Sequence, residues 1–203
     1  MNAMIFAPDQ ASDAIVSRVL ELLDSGVTTP IVLIDGRAGS GKSTLADSVQ
    51  RALFREGDSL PRVIHMDDLY LGWDGLQAGV DYLMRFVLGP VAQVGHSLGA
   101  GPIASWQEYD WALGERNRWR EFSGGTPLII EGCGALSAAA AELANLRVWL
   151  DVPEPIRRER WTQREGHQFD DKWALWAAQE LDFYAREKSA ELADFVVRDE
   201  GLQ

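Results

Sequence analysis

A chain of 203 residues with 46% hydrophobic and 25% charged residues has the make-up of a globular domain and enough length to bury one full core. Its 19 basic against 31 acidic residues leave a formal net charge of -12, the wrong sign for counterion release from a phosphate backbone, so no nucleic-acid partner is expected. The single cysteine, Cys133, rules out an intrachain disulfide framework and a multi-cysteine zinc site, and it suits a reducing compartment.

Residues 1–10 carry neither the basic region nor the apolar core of a signal peptide, and no later run reaches the roughly 18 apolar residues of a membrane span. A cytoplasmic protein with no membrane partner is the expectation. Residues 13–23 have helical periodicity. The apolar run 30–35 reads as a strand, and 41–54 follows as a helix with Leu45, Val49, Ala52 and Leu53 on one face. A second strand falls at 62–66, a helix at 80–94, a third strand at 127–131, an alanine-rich helix at 136–144 and a fourth strand at 146–151. Pro153 and Pro155 open a helix carrying Arg157, Arg158, Arg160 and Arg164. A long helix with Trp173 and Trp176 spans 169–190, and a fifth strand lies at 194–197.

The first, third and fourth strands are nearly continuous in apolar residues, as strands covered by helices on both faces are, so the alternation βαβα predicts a parallel sheet in an α/β fold. Residues 69–79 and 95–125 are Gly-rich, aromatic and irregular, and read as substrate-facing loops. With no repeat or linker, the expectation is one domain over 1–203, with an acceptor-binding segment at about 69–125 and an Arg-rich lid at about 154–168.

Gly36-Arg37-Ala38-Gly39-Ser40-Gly41-Lys42-Ser43-Thr44 matches G-x-x-x-x-G-K-[ST] between a strand and a helix. The glycines let the backbone turn tightly and aim its N–H groups at phosphate oxygens, and the start of the following helix adds its positive end. Lys42, one of three lysines in the chain, would reach the β- and γ-phosphates, and the Ser43 hydroxyl would ligate Mg²⁺. The motif fits GTPases, motors and small-molecule kinases alike. No N-K-x-D guanine signature follows a later strand, which favours ATP, and a motor would need more chain.

The second strand runs into His65-Met66-Asp67-Asp68-Leu69-Tyr70, placing carboxylates at the carboxyl edge of the sheet, where open α/β folds bind ligands. Asp67 could take a proton from a substrate hydroxyl or hold magnesium through water, and both aspartates could equally be turn residues. Glu131 ends the third strand and is placed to coordinate Mg²⁺. Arg157, Arg160 and Arg164 share one helical stripe that could close over a transferring phosphoryl group; Glu154, Glu159 and Glu165 among them offer a salt-bridged surface helix instead.

The strand, phosphate loop and helix, the Asp67-Asp68-Leu69-Tyr70 segment, Tyr109-Asp110-Trp111, Glu131-Gly132 and the arginines from Arg157 to Arg164 occur in an order that resembles the uridine kinase-like branch of P-loop kinases, which includes pantothenate kinase and phosphoribulokinase. The resemblance covers roughly 30–198, and only the phosphate loop is specific by itself. It implies a three-layer αβα sandwich with a five-stranded parallel sheet in the order 2-3-1-4-5, and ATP-dependent phosphorylation of an alcohol. It also implies Asp67 as the catalytic base, Glu131 as a magnesium-site residue, Arg160 and Arg164 as lid residues, and Tyr109 in the acceptor pocket, with Tyr70 and Trp111 beside it. Where uridine kinases have a histidine five residues after the pocket tyrosine this chain has Gly114, and no Asp-His-Pro follows Tyr70, which speaks against uridine or cytidine. Trp73, Trp106, Trp111 and Trp119 make the acceptor region aromatic, suiting a stacked base or another flat ring, or simply core packing.

The expected function is therefore a Mg·ATP-dependent kinase acting on a small-molecule, nucleoside-like acceptor. A nucleoside monophosphate kinase using Arg116, Arg118 and Arg120, and a non-catalytic ATP-binding regulatory module, are the alternatives, and a homodimer stays open. Gly95-His96-Ser97-Leu98-Gly99 matches the G-x-S-x-G nucleophile elbow, but Gly99-Ala100-Gly101-Pro102 is a poor helix start, so a Gly-rich loop is expected.

Overall fold

The computed structural model describes residues 3–57, 60–94 and 103–201; the 95–99 motif lies outside them. In chain order the elements are β1 Met4–Phe6, α1 Pro8–Asp24, β2 Ile31–Gly36, α2 Lys42–Glu56 and β3 Arg62–His65, which passes into a 3₁₀ turn at Met66–Asp68. Helix α3 Leu76–Leu83 continues through a π-helical turn, Met84–Leu88, into α4 Gly89–Val94. Then come β4 Ala104–Asp110, β5 Glu115–Phe122, β6 Leu128–Glu131, α5 Ala138–Ala141, β7 Leu146–Asp151, α6 Glu154–Glu165, α7 Asp170–Glu187, α8 Ser189–Leu192 and β8 Phe195–Arg198.

The main sheet is parallel throughout, in the order β1-β8-β7-β2-β6-β3. The five strands expected from the sequence stand in the expected order, and β1 is a sixth that joins β8 with Met4 opposite Phe195. Only three residues long, with Met4 and Ile5 exposed, it lacks the apolar run that marks the buried strands. A second correction concerns 103–125: instead of a loop, β4 and β5 form an antiparallel ribbon, so the βαβα alternation is interrupted. One end of the ribbon packs Ala104, Trp106 and Phe122 into the core, while the rest is polar and carries pairs such as Arg120–Glu108 at 2.7 Å, so apolar periodicity is too short to report it.

Alternation along β2 divides the core. Val32 and Ile34 face α1 and α2, packing with Ile15, Val19, Val49 and Leu53; Leu33 faces the opposite layer built from α3, α5 and α7. Two faces buried by helices give the three-layer αβα arrangement. No helix among the described residues is long and apolar enough to cross a membrane.

Candidate active site

Strand β2 delivers the phosphate loop to the carboxyl edge of the sheet, and α2 begins at Lys42. At Gly39 the backbone has φ +78° and a Cβ would strike the main-chain carbonyl of Arg157, so only glycine lets α6 lie against the loop. Arg157, buried, donates from Nη1 to Ala38 O at 3.0 Å and from Nε to Val152 O at 3.0 Å. From α7, the buried Glu180 accepts the Ala38 N–H at 2.6 Å and the Cys133 thiol at 3.2 Å. Asp35, fully buried just before the loop, accepts from the N–H groups of Gly36, Gly134 and Leu136 and from Tyr184 Oη at 2.7 Å. Burial pushes its carboxyl up to about 6 against the pull of those donors and of Lys42. The loop is thus fixed from behind by α6, α7 and the turn after β6.

Lys42 is buried and donates from Nζ to Arg37 O at 3.1 Å and toward Cys133 Sγ at 3.5 Å. Burial opposes its ammonium, but the Cys133 sulfur and the Glu131, Glu180 and Asp35 carboxylates outweigh it and hold the pKa above the ordinary value. Beside it, Ser43 Oγ donates to Glu131 Oε1 at 3.1 Å, and His65 Nδ1 lies 2.6 Å from the same oxygen. That hydrogen bond raises the His65 pKa despite partial burial.

Gly132, at φ +137°, lets the turn after β6 pack directly on Met66, where a Cβ would collide with the Met66 side chain; this close approach brings Glu131 and Asp67 to one cleft. Asp67 stays open to solvent there, yet the crowding walls raise its carboxyl pKa, as does Glu131, against the pull of Lys42, Arg164 and His65. The cleft has a volume of about 390 Å³. Its floor holds Lys42, Ser43, Asp67 and Glu131, Arg164 stands at its rim, and Trp73, Trp111, Trp161, Phe169 and Trp176 wall it.

Of the residues singled out in the sequence, Lys42, Ser43, Asp67, Glu131, Tyr70, Trp111 and Arg164 meet in this cleft. Tyr70 is a buried strut whose hydroxyl donates to Cys133 O at 2.7 Å, and Trp111 Nε1 donates to Asp67 O at 2.9 Å. Tyr109 lies behind the wall, its ring against Trp111 at 5.4 Å and 89°. Arg160 does not line this cleft; it pairs with Asp199 at 2.6 Å and, with Arg164, borders a second cavity over Gly39, Lys42, Ser43 and Thr44 of the phosphate loop. Sequence reasoning missed Trp161, Phe169 and Trp176 as cleft walls and Glu180 as a loop support. A lone acid in the stripe Trp173, Trp176, Glu180, Tyr184 was the available signal. Among the described residues no cluster of three or more His, Cys, Asp or Glu side chains stands at metal-binding spacing. Mg²⁺ needs no such cage, because it takes one or two protein oxygens together with phosphates and water.

The chain matches no protein-family model and no curated protein sequence. Among solved structures it is similar to a candidate uridine kinase from Bacillus stearothermophilus, at 20% identity and TM-score 0.65, over 93% of this chain and 98% of that one. It is also similar to a candidate fructose transport system kinase from Silicibacter sp. TM1040, at 22% identity and TM-score 0.57, covering 91% and 98%. A third is YFH7 from Saccharomyces cerevisiae, a candidate P-loop kinase with a circular permutation, at 12% identity and TM-score 0.57, covering 95% and 99%. The chain therefore shares the fold of these three structures over more than nine-tenths of its length.

Proposed function

We propose that the protein is a Mg·ATP-dependent kinase that phosphorylates a hydroxyl of a small, nucleoside-like molecule, one carrying a flat ring. The observation that carries this reading is the convergence of Lys42, the Ser43–Glu131 pair and Asp67 on the floor of one aromatic-walled cleft. The residues present fit the nucleotide: Ser40 Oγ is buried in the loop without a partner, and a buried ammonium stands where phosphate charge would lie. Ser43 and Glu131 would hold magnesium, with Asp67 in reach through water. Bound Mg·ATP supplies the phosphoryl group, whose phosphorus bonds to the acceptor oxygen as ADP leaves with the bridging oxygen and its electron pair.

The chain's own residues do the rest. Lys42 and the loop N–H groups hold phosphate oxygens. Asp67 accepts the acceptor's hydroxyl proton, a role that its raised pKa suits. Arg164, at the rim, balances developing negative charge, and the aromatic walls exclude water. The cavity of about 490 Å³ on the other side of the loop, where Leu150, Val152 and Val197 meet the polar Asp9, Arg160 and Asp199, offers a seat for the base.

The monophosphate alternative loses its arginines: Arg116 donates to Gln107 O and Leu69 O, Arg120 pairs with Glu108, and Arg118 does not line the cleft. The test is Asp67→Asn, which keeps the shape and removes the basic oxygen. It lowers kcat by about 10²- to 10⁴-fold while the Kd for Mg·ATP changes much less. Unchanged turnover would refute the base assignment.

A further inference from the structure

A glutamate side chain turns about several bonds, so a carboxylate that is to meet a metal ion reproducibly needs other groups to fix it. Glu131, 3% exposed at the carboxyl end of β6, has two such groups on one oxygen. Ser43 Oγ donates to Oε1 from the first turn of α2 at 3.1 Å, and His65 Nδ1 lies 2.6 Å from the same atom. His65 stands opposite Glu131 in the parallel register of β3 and β6, so the two side chains leave the sheet on the same face at the same level.

The bond between them has one sense. An ionised carboxylate only accepts, so Nδ1 carries the proton and donates it. Asp68 and Asp47 act on the ring through their charge, without a hydrogen bond to it, and Nδ1 is committed to Glu131. The His65 side chain is 40% exposed against 4% for that of Glu131, so the imidazole is no core packing piece; its contribution to the interior is this bond.

The grip on Glu131 has two consequences. With Oε1 held from both sides, Oε2 accepts no hydrogen bond among the described residues and is left to the cleft that Glu131 lines, although Asp67 repels it there. Because the Ser43 hydroxyl proton points at Oε1, the lone pairs of Oγ stay free for a cation. His65 itself does not line the cleft.

We infer that His65 is a positioning residue for the magnesium site: it fixes Glu131, and through it the Ser43 hydroxyl, in the arrangement that a magnesium ion on a nucleotide's phosphates requires. This rests on the kinase reading above and adds to it a residue outside the cleft. Its loss bears on the metal and not on the nucleotide itself. Removing a hydrogen-bond partner behind a metal ligand costs about 10- to 100-fold in metal affinity.

Two substitutions separate the bond from the ring. His65→Phe keeps a flat ring and removes the donor, whereas His65→Asn removes the ring and keeps an N–H at the place of Nδ1. Calorimetry on the full chain gives the Kd of a non-hydrolysable ATP analogue in EDTA, and a Mg²⁺ titration of that complex gives the metal affinity. His65→Phe should lower the metal affinity by about tenfold or more, with the metal-free Kd within about twofold of wild type; His65→Asn should return it to within about threefold. His65→Leu takes the place of the phenylalanine variant if that one does not fold. A histidine with a structural role only would lower Tm and metal-free affinity together and leave the metal affinity unmoved. That result overturns the inference and leaves the kinase standing, as do an unchanged His65→Phe and a His65→Asn equally impaired. Wild-type protein that binds no nucleotide, with or without Mg²⁺, would overturn the kinase reading and the inference together.

Discussion

Replacing Lys42 with methionine separates charge from shape, because the thioether fills most of the space of the lysine stem. An isolated buried ammonium loses its proton readily, but this one is held more tightly than in the unfolded chain, so its charge is net stabilising at every pH below the ordinary lysine value of 10.5. The Cys133 thiol is pushed well up by burial and is neutral at pH 7, leaving Glu131, Glu180 and Asp35 as the charges that matter. Unit charges about 6 Å apart at an effective dielectric near 20 attract by about 3 kcal/mol. Such attractions set against a desolvation cost of several kcal/mol leave about 2 kcal/mol. Lys42→Met should therefore lower unfolding stability by about 2 kcal/mol at pH 7, in addition to abolishing phosphoryl transfer. The deficit should shrink at pH 5, where Asp35, with a pKa of about 6, has taken up its proton. Urea unfolding of both proteins at the two pH values measures this. Equal stability at pH 7, or one deficit at both pH values, refutes the reasoning.

Arg164→Ala should lower kcat by about tenfold or more, whereas Arg160→Ala, whose guanidinium is given to Asp199, should stay within about threefold; steady-state kinetics showing equal losses would contradict this. Asp35 binds its proton more tightly folded than unfolded, so its contribution is full below pH 3.8 and is lost as pH climbs to about 6. The stability of the wild type relative to Asp35→Asn should accordingly fall by about 2.4 kcal/mol between pH 4 and pH 7, and a difference constant with pH would contradict it. Gly39→Ala, with a Cβ driven at the Arg157 carbonyl, should lower stability by at least about 1 kcal/mol, read by thermal unfolding; a wild-type Tm would mean that α6 gives way easily.

Burial decides how much of the fold was legible in the sequence. Strands covered on both faces, such as Ile31–Gly36 and Leu128–Glu131, are unbroken apolar runs up to the acids at their carboxyl ends, Asp35 and Glu131, and announce themselves. The ribbon does not, since Arg116, Arg118 and Arg120 alternate with Asn117, Trp119 and Glu121, and only Ala104, Trp106 and Phe122 at its other end enter the core. The floor of the cleft was readable because the phosphate loop and the acids at two strand ends belong to one edge of the sheet. The walls were not: Trp73, Trp111 and Trp176 are far apart in the chain, and periodicity says nothing about which helix crosses which loop. The arginine stripe divides for a related reason. Helix α6 lies across the phosphate loop, so successive turns meet different neighbours: Arg157 the Ala38 carbonyl, Arg160 Asp199, and Arg164 the cleft.

Helix α7 touches both halves of the site. Trp176 walls the acceptor cavity, Glu180 holds the Ala38 N–H of the phosphate loop, and Tyr184 bonds to Asp35 at the loop's root. These contacts are four residues apart, about 6 Å of rise each, along one regular helix, and a helix of 18 residues moves as a rod. For the proposed kinase, an acceptor that shifts Trp176 would displace Glu180 with it, and a nucleotide that tightens the loop would pull on Trp176. By thermodynamic reciprocity, whatever factor one substrate imposes on the affinity of the other is returned in equal measure. Under the proposed reading the two pockets share one arm, and α7 is where the coupling between the two substrates would be carried.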